Sequence, residues 1–148
     1  MTADLLERAR VIQSGSAQRH AWVAARAIVG LGWATVELDR AEGELGATWC
    51  TGWKDASRDE LLGASVRRCG DDGLPLLLLE PDTEGRLAAY LARHGEGVAA
   101  VYLDGGPAGE PGEAPTSGLG PAAPGPLGRA RLLRDGTRWG PYVVVLEP

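Results

Sequence analysis

The segment LLLLEPDTEGRLAAYLARHGEGVAAVYL, residues 76–103, decides the fold. Leu76 to Leu79 form an apolar run of strand length, and Glu80-Pro81 closes it, because proline donates nothing to a ladder. Asp82 or Thr83 stands where a helix cap is needed. Leu87, Tyr90 and Leu91 then recur at i, i+3, i+4 on one helical face. Arg93 and His94 fill the last turn, where cations meet the free carbonyls, and Gly95 ends the helix where a left-handed residue is cheapest. Val98 to Leu103 resume as a second apolar strand. The order is buried strand, short helix, buried strand.

Working outward, Leu61 to Cys69 reads as a strand that joins Leu74–Leu79 through the tight turn Asp71-Asp72-Gly73, making a hairpin. Trp33 to Leu38 alternates like a strand, with Gly30 and Gly32 breaking whatever precedes it. Residues 39–60 carry Gly43, Gly46, Gly52 and scattered charge, and read as a loop with one short helix from Asp39 to Leu45. At the N-terminus Leu5, Leu6, Ala9 and Ile12 share a helical side, and Ser14-Gly15-Ser16 interrupts it. Ser16 then caps a second helix reaching Ile28 through Trp22 and Val23. Downstream, thirteen of the 23 residues in 104–126 are Gly or Pro, which marks an extended surface loop, either a tolerated insertion or a lid. Arg129 to Arg134 and Trp139 to Glu147 are strands joined by an Asp135-Gly136 turn. The whole amounts to about six strands and two to three helices.

At 148 residues the chain is expected to form one core, and 44% hydrophobic content excludes wholesale disorder. A net charge of −5 lacks the basic footprint of a nucleic-acid or anionic-membrane binder. No apolar run approaches a membrane span, and MTADLLERAR lacks the apolar core of a signal peptide, so a cytoplasmic location is expected. Cys50 and Cys69 are too few for a disulfide framework and read as small buried hydrophobes. Five Trp and three Tyr stand beside no Phe; indole rings suit ligand walls as well as cores. There is no nucleophile elbow, no phosphate loop and no His-Cys cluster at zinc spacing. His94 is explained by its helix end, and His20 lies in the N-terminal helical segment.

Three places resemble the vicinal oxygen chelate superfamily, the glyoxalase and bleomycin-resistance fold, and within it the methylmalonyl-CoA epimerase branch. They are Leu31-Gly32-Trp33-Ala34-Thr35-Val36 followed by Leu38-Asp39-Arg40-Ala41; Leu78-Leu79-Glu80-Pro81, then Tyr90-Leu91 and Gly95-Glu96-Gly97-Val98; and Gly140 followed by Tyr142 to Leu146. The resemblance implies an α+β fold in which paired βαβββ modules form a cupped mixed sheet. It covers residues 30–148 as one domain, with residues 1–29 an added helical extension. The second module is degenerate, its helix replaced by the Gly/Pro loop. Relatives hold a divalent metal at four strand positions in the cup. The matching positions here are Trp33, Leu77, Ala99-Ala100 and Val144, none of which offers a hard donor. The expectation is therefore no metal and no cofactor.

What remains is an apolar cup with a few polar groups. Glu37, Tyr102 and Tyr142 are the candidate catalytic residues, a strand carboxylate for acid–base work and two hydroxyls. Trp33, Thr35, Arg67, Leu77, Ala100, Arg131, Trp139 and Val144 are the candidate ligand-binding residues. Trp33 serves either the core or a ligand wall; Arg67-Arg68 and Arg138 suit a carboxylate or phosphate on a ligand. The expected activity is a metal-independent isomerisation or cyclisation of a hydrophobic, polyketide- or acyl-like intermediate in secondary metabolism. The alternatives are a resistance protein that sequesters a hydrophobic small molecule without chemistry, and a metal-dependent epimerase or lyase with shifted ligands. The expected partner is a hydrophobic small molecule, with neither nucleic acid nor membrane, and the resemblance adds a homodimer.

Overall fold

The computed structural model describes residues 3–50, 52–70, 73–106, 118–134 and 140–148. The decisive segment folds as read: β4 is Leu76–Pro81, α3 is Arg86–His94 and β5 is Gly97–Leu103. Gly95 ends α3 at φ 75°, its N–H donating to the Leu91 carbonyl. The start of α3 differs from the expectation. Gly85 occupies the cap position and no side chain caps it, because the Asp82 carboxylate is taken by the Arg58 guanidinium.

The other elements are α1 (Ala3–Ala17), a short 3-10 helix (Ala21–Ala25), β1 (Ile28–Ala34), α2 (Leu38–Trp49), β2 (Lys54–Asp59), β3 (Ala64–Cys69), β6 (Ala130–Leu132) and β7 (Tyr142–Leu146). Ser14-Gly15-Ser16 does not interrupt α1, since Ser16 is buried within its last turn and nothing crowds Gly15. The second N-terminal helix is a single 3-10 stretch, and the first strand begins at Ile28, not Trp33. Gly30 and Gly32 lie inside β1 because other side chains need the space where their Cβ atoms would stand. The supposed loop 39–60 holds α2 and β2. β2 is an edge strand, KDASRD, whose exposed charges conceal the alternation that normally signals a strand. Cys50 and Cys69 are not separate hydrophobes; they are bridged, with Cα atoms 6.3 Å apart.

One mixed sheet runs β2-β3-β4-β1-β5-β7-β6. In the first half β2, β3 and β4 pair antiparallel and β4 lies parallel to β1. In the second half β6 and β7 pair antiparallel and β7 lies parallel to β5. β1 and β5 meet antiparallel at the centre, so the halves are related by an approximate two-fold: β1 corresponds to β5, β4 to β7 and β3 to β6. This is the expected α+β architecture of paired βαβββ modules with a reduced second module. Where β2 would have its counterpart, residues 118–123 run beside β6 in isolated bridges, Ala123 to Ala130 and Leu119 to Leu133. Pro121 and Pro124 prevent a continuous ladder there.

The sheet curls into a half-barrel. Four strand spacings separate β2 from β5, about 19 Å on a flat sheet, yet the Tyr102 hydroxyl on β5 reaches the Asp59 carboxylate on β2 at 2.6 Å. The face these two share is therefore the concave one. Leu77, Leu79, Ala100, Tyr102, Leu132, Tyr142 and Val144 pack there with Leu87 and Tyr90 of α3. The opposite face carries Leu31, Leu76, Val101, Val143 and Val145, covered by Leu5 and Ala9 of α1 and by Val23. The N-terminal helix thus supplies part of one core layer.

Candidate functional site

The concave face begins with an absence of side chains on β1. A Cβ at Gly30 would lie 2.6 Å from Leu127 Cδ1 and 3.5 Å from Tyr102 Cβ, and one at Gly32 would lie 2.6 Å from Leu79 Cδ1 and 3.1 Å from Ala100 Cβ. The two glycines leave a trough that Leu79 fills from the sheet and Leu127 from outside it. Leu127 belongs to residues 118–128, a strap that crosses the concave side. The strap is anchored where the Glu60 N–H donates to the Pro124 carbonyl (3.2 Å) and where Ala123 and Ala130 exchange hydrogen bonds.

Beneath it sits one carboxylate. Asp59 and Tyr102 are each 1% exposed, and the Tyr102 hydroxyl donates to Asp59 Oδ2 at 2.6 Å. The Leu62 N–H donates to Oδ1 at 2.9 Å, which ties Asp59 to the turn that follows β2. Burial pushes the Asp59 carboxyl above the usual carboxylate range, and the Tyr102 and Leu62 hydrogen bonds offset this only in part. Burial, with the Asp59 charge beside it, holds the Tyr102 hydroxyl far above its ordinary value. The Asp59 carboxyl, shifted upward beside a phenol that stays protonated, is the group of the two that can take up or release a proton. The other hydroxyls of this face are engaged with the main chain: Tyr142 donates to the Arg86 carbonyl at 2.8 Å and Tyr90 to the Val98 carbonyl at 3.0 Å.

Of the residues singled out in the sequence, Tyr102, Tyr142, Leu77, Ala100 and Val144 come together on the concave face. Glu37 does not. It lies exposed beyond the end of β1 at the entry to α2, where its carbonyl accepts the Ala41 N–H, because β1 stops at Ala34. Trp33 packs on the opposite face with the layer under α1, a consequence of strand alternation once the register is anchored at Gly30 and Gly32. Thr35 is buried at the strand end, its hydroxyl donating to Glu96 at 3.0 Å. Arg67 points to the outer side, where Asp39, Glu42 and Asp55 surround it at 2.6, 2.7 and 3.4 Å. Arg131 pairs with Glu147 at 3.4 Å, on the face of β6 away from Ala130 and Leu132. Trp139, Arg138 and the Asp135-Gly136 turn lie outside the described residues.

Asp59 was not foreseen. Its place in a segment without apolar alternation hid the strand that carries it. The only sequence signal was the Asp-Glu-Leu-Leu-Gly turn after it, whose leucines are apolar enough to be buried.

The superfamily's divalent metal finds no fit on this face. Gly30, Gly32, Leu77, Ala100 and Val144 bring no donor atom in their side chains, and among the described residues no three His, Cys, Asp or Glu side chains gather in a way that could hold a metal ion. Among those residues, too, no helix is long and apolar enough to cross a membrane.

No protein-family model matches the sequence, and no match was found among curated proteins. Solved structures do share its shape. Methylmalonyl-CoA epimerase from Mycobacterium tuberculosis superposes with a TM-score of 0.58 at 15% identity, covering 82% of this chain and 88% of that one. A hypothetical protein from Bacillus halodurans gives 0.56 at 16% identity, over 83% and 94%. A variant of the Streptomyces coelicolor methylmalonyl-CoA epimerase, in complex with 2-nitronate-propionyl-CoA, gives 0.54 at 20% identity, over 82% and 97%. At these identities the likeness is one of fold: the chain has the curled, paired-module sheet of the methylmalonyl-CoA epimerases, which are vicinal oxygen chelate proteins.

Proposed function

We propose that the protein takes a small organic molecule with an apolar body into the glycine trough and isomerises it by proton transfer through the Asp59–Tyr102 pair, without a metal. The observation that carries this reading is the buried, upward-shifted carboxyl, bonded to a buried phenol, amid the apolar side chains of the concave face. The presence of acyl-CoA compounds in structures of the same fold supports a carbonyl-bearing substrate. Ionised Asp59 accepts the proton from carbon adjacent to a carbonyl, and the electron pair of that C–H bond moves onto the carbonyl oxygen as an enolate. The Tyr102 hydroxyl, no longer needed by a protonated carboxyl, turns to donate to that oxygen. Asp59 returns the proton to the other face or to the conjugated carbon, so the product is an isomer and the pair is restored. A ring closure would follow from the same enolate. On this reading the reaction is an isomerisation or cyclisation of an acyl- or polyketide-like intermediate.

Both groups lie under the strap, so entry requires Leu127 to leave the trough. The test is hydrogen exchange in D2O with acyl thioesters or β-dicarbonyl compounds, followed by NMR. The wild type is expected to place deuterium at the activated carbon, Asp59→Asn to abolish this, and Tyr102→Phe to slow it about 10²-fold. The alternative reading, sequestration without chemistry, draws on the pairing of the concave-face hydroxyls within the chain. Saturable binding of a compound recovered unaltered, with no deuterium incorporated, would decide for it.

A further inference from the structure

Arg68 on β3 has a cross-strand partner on each side: Lys54 on β2 and Leu77 on β4. Directly opposed residues share a face, so Arg68 and Lys54 lie on the same concave side as Leu77. Two like charges placed opposite each other destabilise a sheet. The guanidinium Nε of Arg68 is moreover buried with no hydrogen-bond partner, an arrangement that costs free energy unless something else satisfies it. Neighbouring Arg67, by contrast, is surrounded by carboxylates on the outer face.

Arg68 opens into a cavity of about 430 Å³ lined also by Lys54, Asp55, Ala56, Ser57 and Pro126. The one carboxylate in that wall, Asp55, is opposite Arg67 and pairs with it at 3.4 Å. Pro126 precedes Leu127 in the strap, so the cavity and the glycine trough flank consecutive residues of one segment. From the unpartnered guanidinium Nε, the opposed cations and the adjoining cavity, we infer an anion subsite: Arg68, with Lys54 and Ser57, holds the carboxylate or phosphate of a ligand whose apolar body enters the trough. This rests on the proposed reading of the concave face and narrows its substrate class to organic anions. A guanidinium suits either group through charge-assisted, two-pronged hydrogen bonds.

The full chain is titrated with inorganic phosphate and, separately, with 3-methylbutanoate, at constant ionic strength maintained with chloride. Melting temperature and calorimetric binding are the readouts. Saturable stabilisation by one or both anions is expected; the stronger arm identifies the group. Arg68→Met is expected to weaken that binding at least tenfold while melting no lower than wild type, since it removes a like-charge opposition. Arg68→Lys is expected to retain part of the affinity. Absence of saturation by either anion, or unchanged affinity in Arg68→Met, overturns the subsite; should Arg68→Met not fold, unchanged affinity in Arg68→Lys does so. Asp59→Asn separates the two readings. Anion binding that survives in it, in a protein whose wild type shows no deuterium exchange, refutes proton transfer and leaves the subsite standing. Deuterium exchange in a wild type that binds neither anion does the reverse.

Discussion

At the scale of single residues, Asp59 and Tyr102 form the pair on which both stability and chemistry depend. The Asp59 carboxyl titrates above its ordinary value in the folded chain. The native state thus holds a proton that the unfolded state has released, so this contribution to stability is complete at acidic pH and is lost as pH rises through the folded value. Tyr102, raised well above 10.0, acts likewise at the alkaline end: the unfolded phenol ionises first, and stability falls further as pH climbs beyond that point. Asp59→Asn is expected to flatten the acidic portion of the stability–pH curve, and Tyr102→Phe the alkaline one. Chemical denaturation at a series of pH values measures both. Tyr102→Phe should also cost about 2 kcal/mol near neutrality, because it removes one donor from a buried carboxylate. Glu37 shows why a carboxylate could not be picked from sequence alone. Its alternation with Trp33 and Thr35 looked inward, but β1 had already ended at Ala34.

At the scale of elements, the strap 118–128 controls the trough. It is held by scattered hydrogen bonds and interrupted by prolines, whereas β1 and β5 are paired on both sides. Its amides are expected to exchange with solvent much faster than those of β1, and to slow when a ligand occupies the face; hydrogen-exchange mass spectrometry reads this directly. Leu127→Ala should cost about 2 kcal/mol in stability, at the low end for such truncations because the side chain is only partly buried, and should speed entry of small apolar probes. Gly30→Ala offers the complementary test. Its methyl would meet the flexible tip of Leu127, so displacement of the strap is expected, seen as still faster exchange at 118–128 with β1 intact. If strap exchange is unchanged in both variants, the strap is not seated through Leu127. All of the strap but Leu127 and Gly128 fell inside the Gly/Pro-rich stretch 104–126, yet composition could not show that residues 118–123 would run beside β6, since that pairing joins main-chain atoms.

At the scale of the whole molecule, the bridge between Cys50 and Cys69 joins the segment after α2 to the end of β3, across a separation of 19 residues. A loop of this size contributes about 3 kcal/mol by restricting the unfolded chain, so reduction is expected to lower the melting temperature by roughly 10 °C. Scanning calorimetry with and without reductant checks it; an unchanged transition would mean the bridge does not form in solution. Disulfides persist where the surroundings are oxidising, so trapping of free thiols in freshly lysed cells tests the cytoplasmic expectation.

The sequence by itself determined the strand–helix–strand unit at 76–103, the hairpin before it, the paired-module fold, and the lack of metal donors at Leu77, Ala100 and Val144. The unit, the hairpin and the missing donors depend on local periodicity, turn chemistry or residue type, all carried by neighbours along the chain, whereas the paired-module fold was implied by the resemblance to a known superfamily. Only the tertiary structure decided that Trp33 faces the α1 layer and that a charged edge strand delivers Asp59 to Tyr102 43 residues away. It likewise brought Leu127 to stand where Gly30 leaves room. The physical reason is the curl of the sheet: it joins residues from opposite ends of a seven-stranded order, and their proximity has no counterpart in the spacing of the sequence.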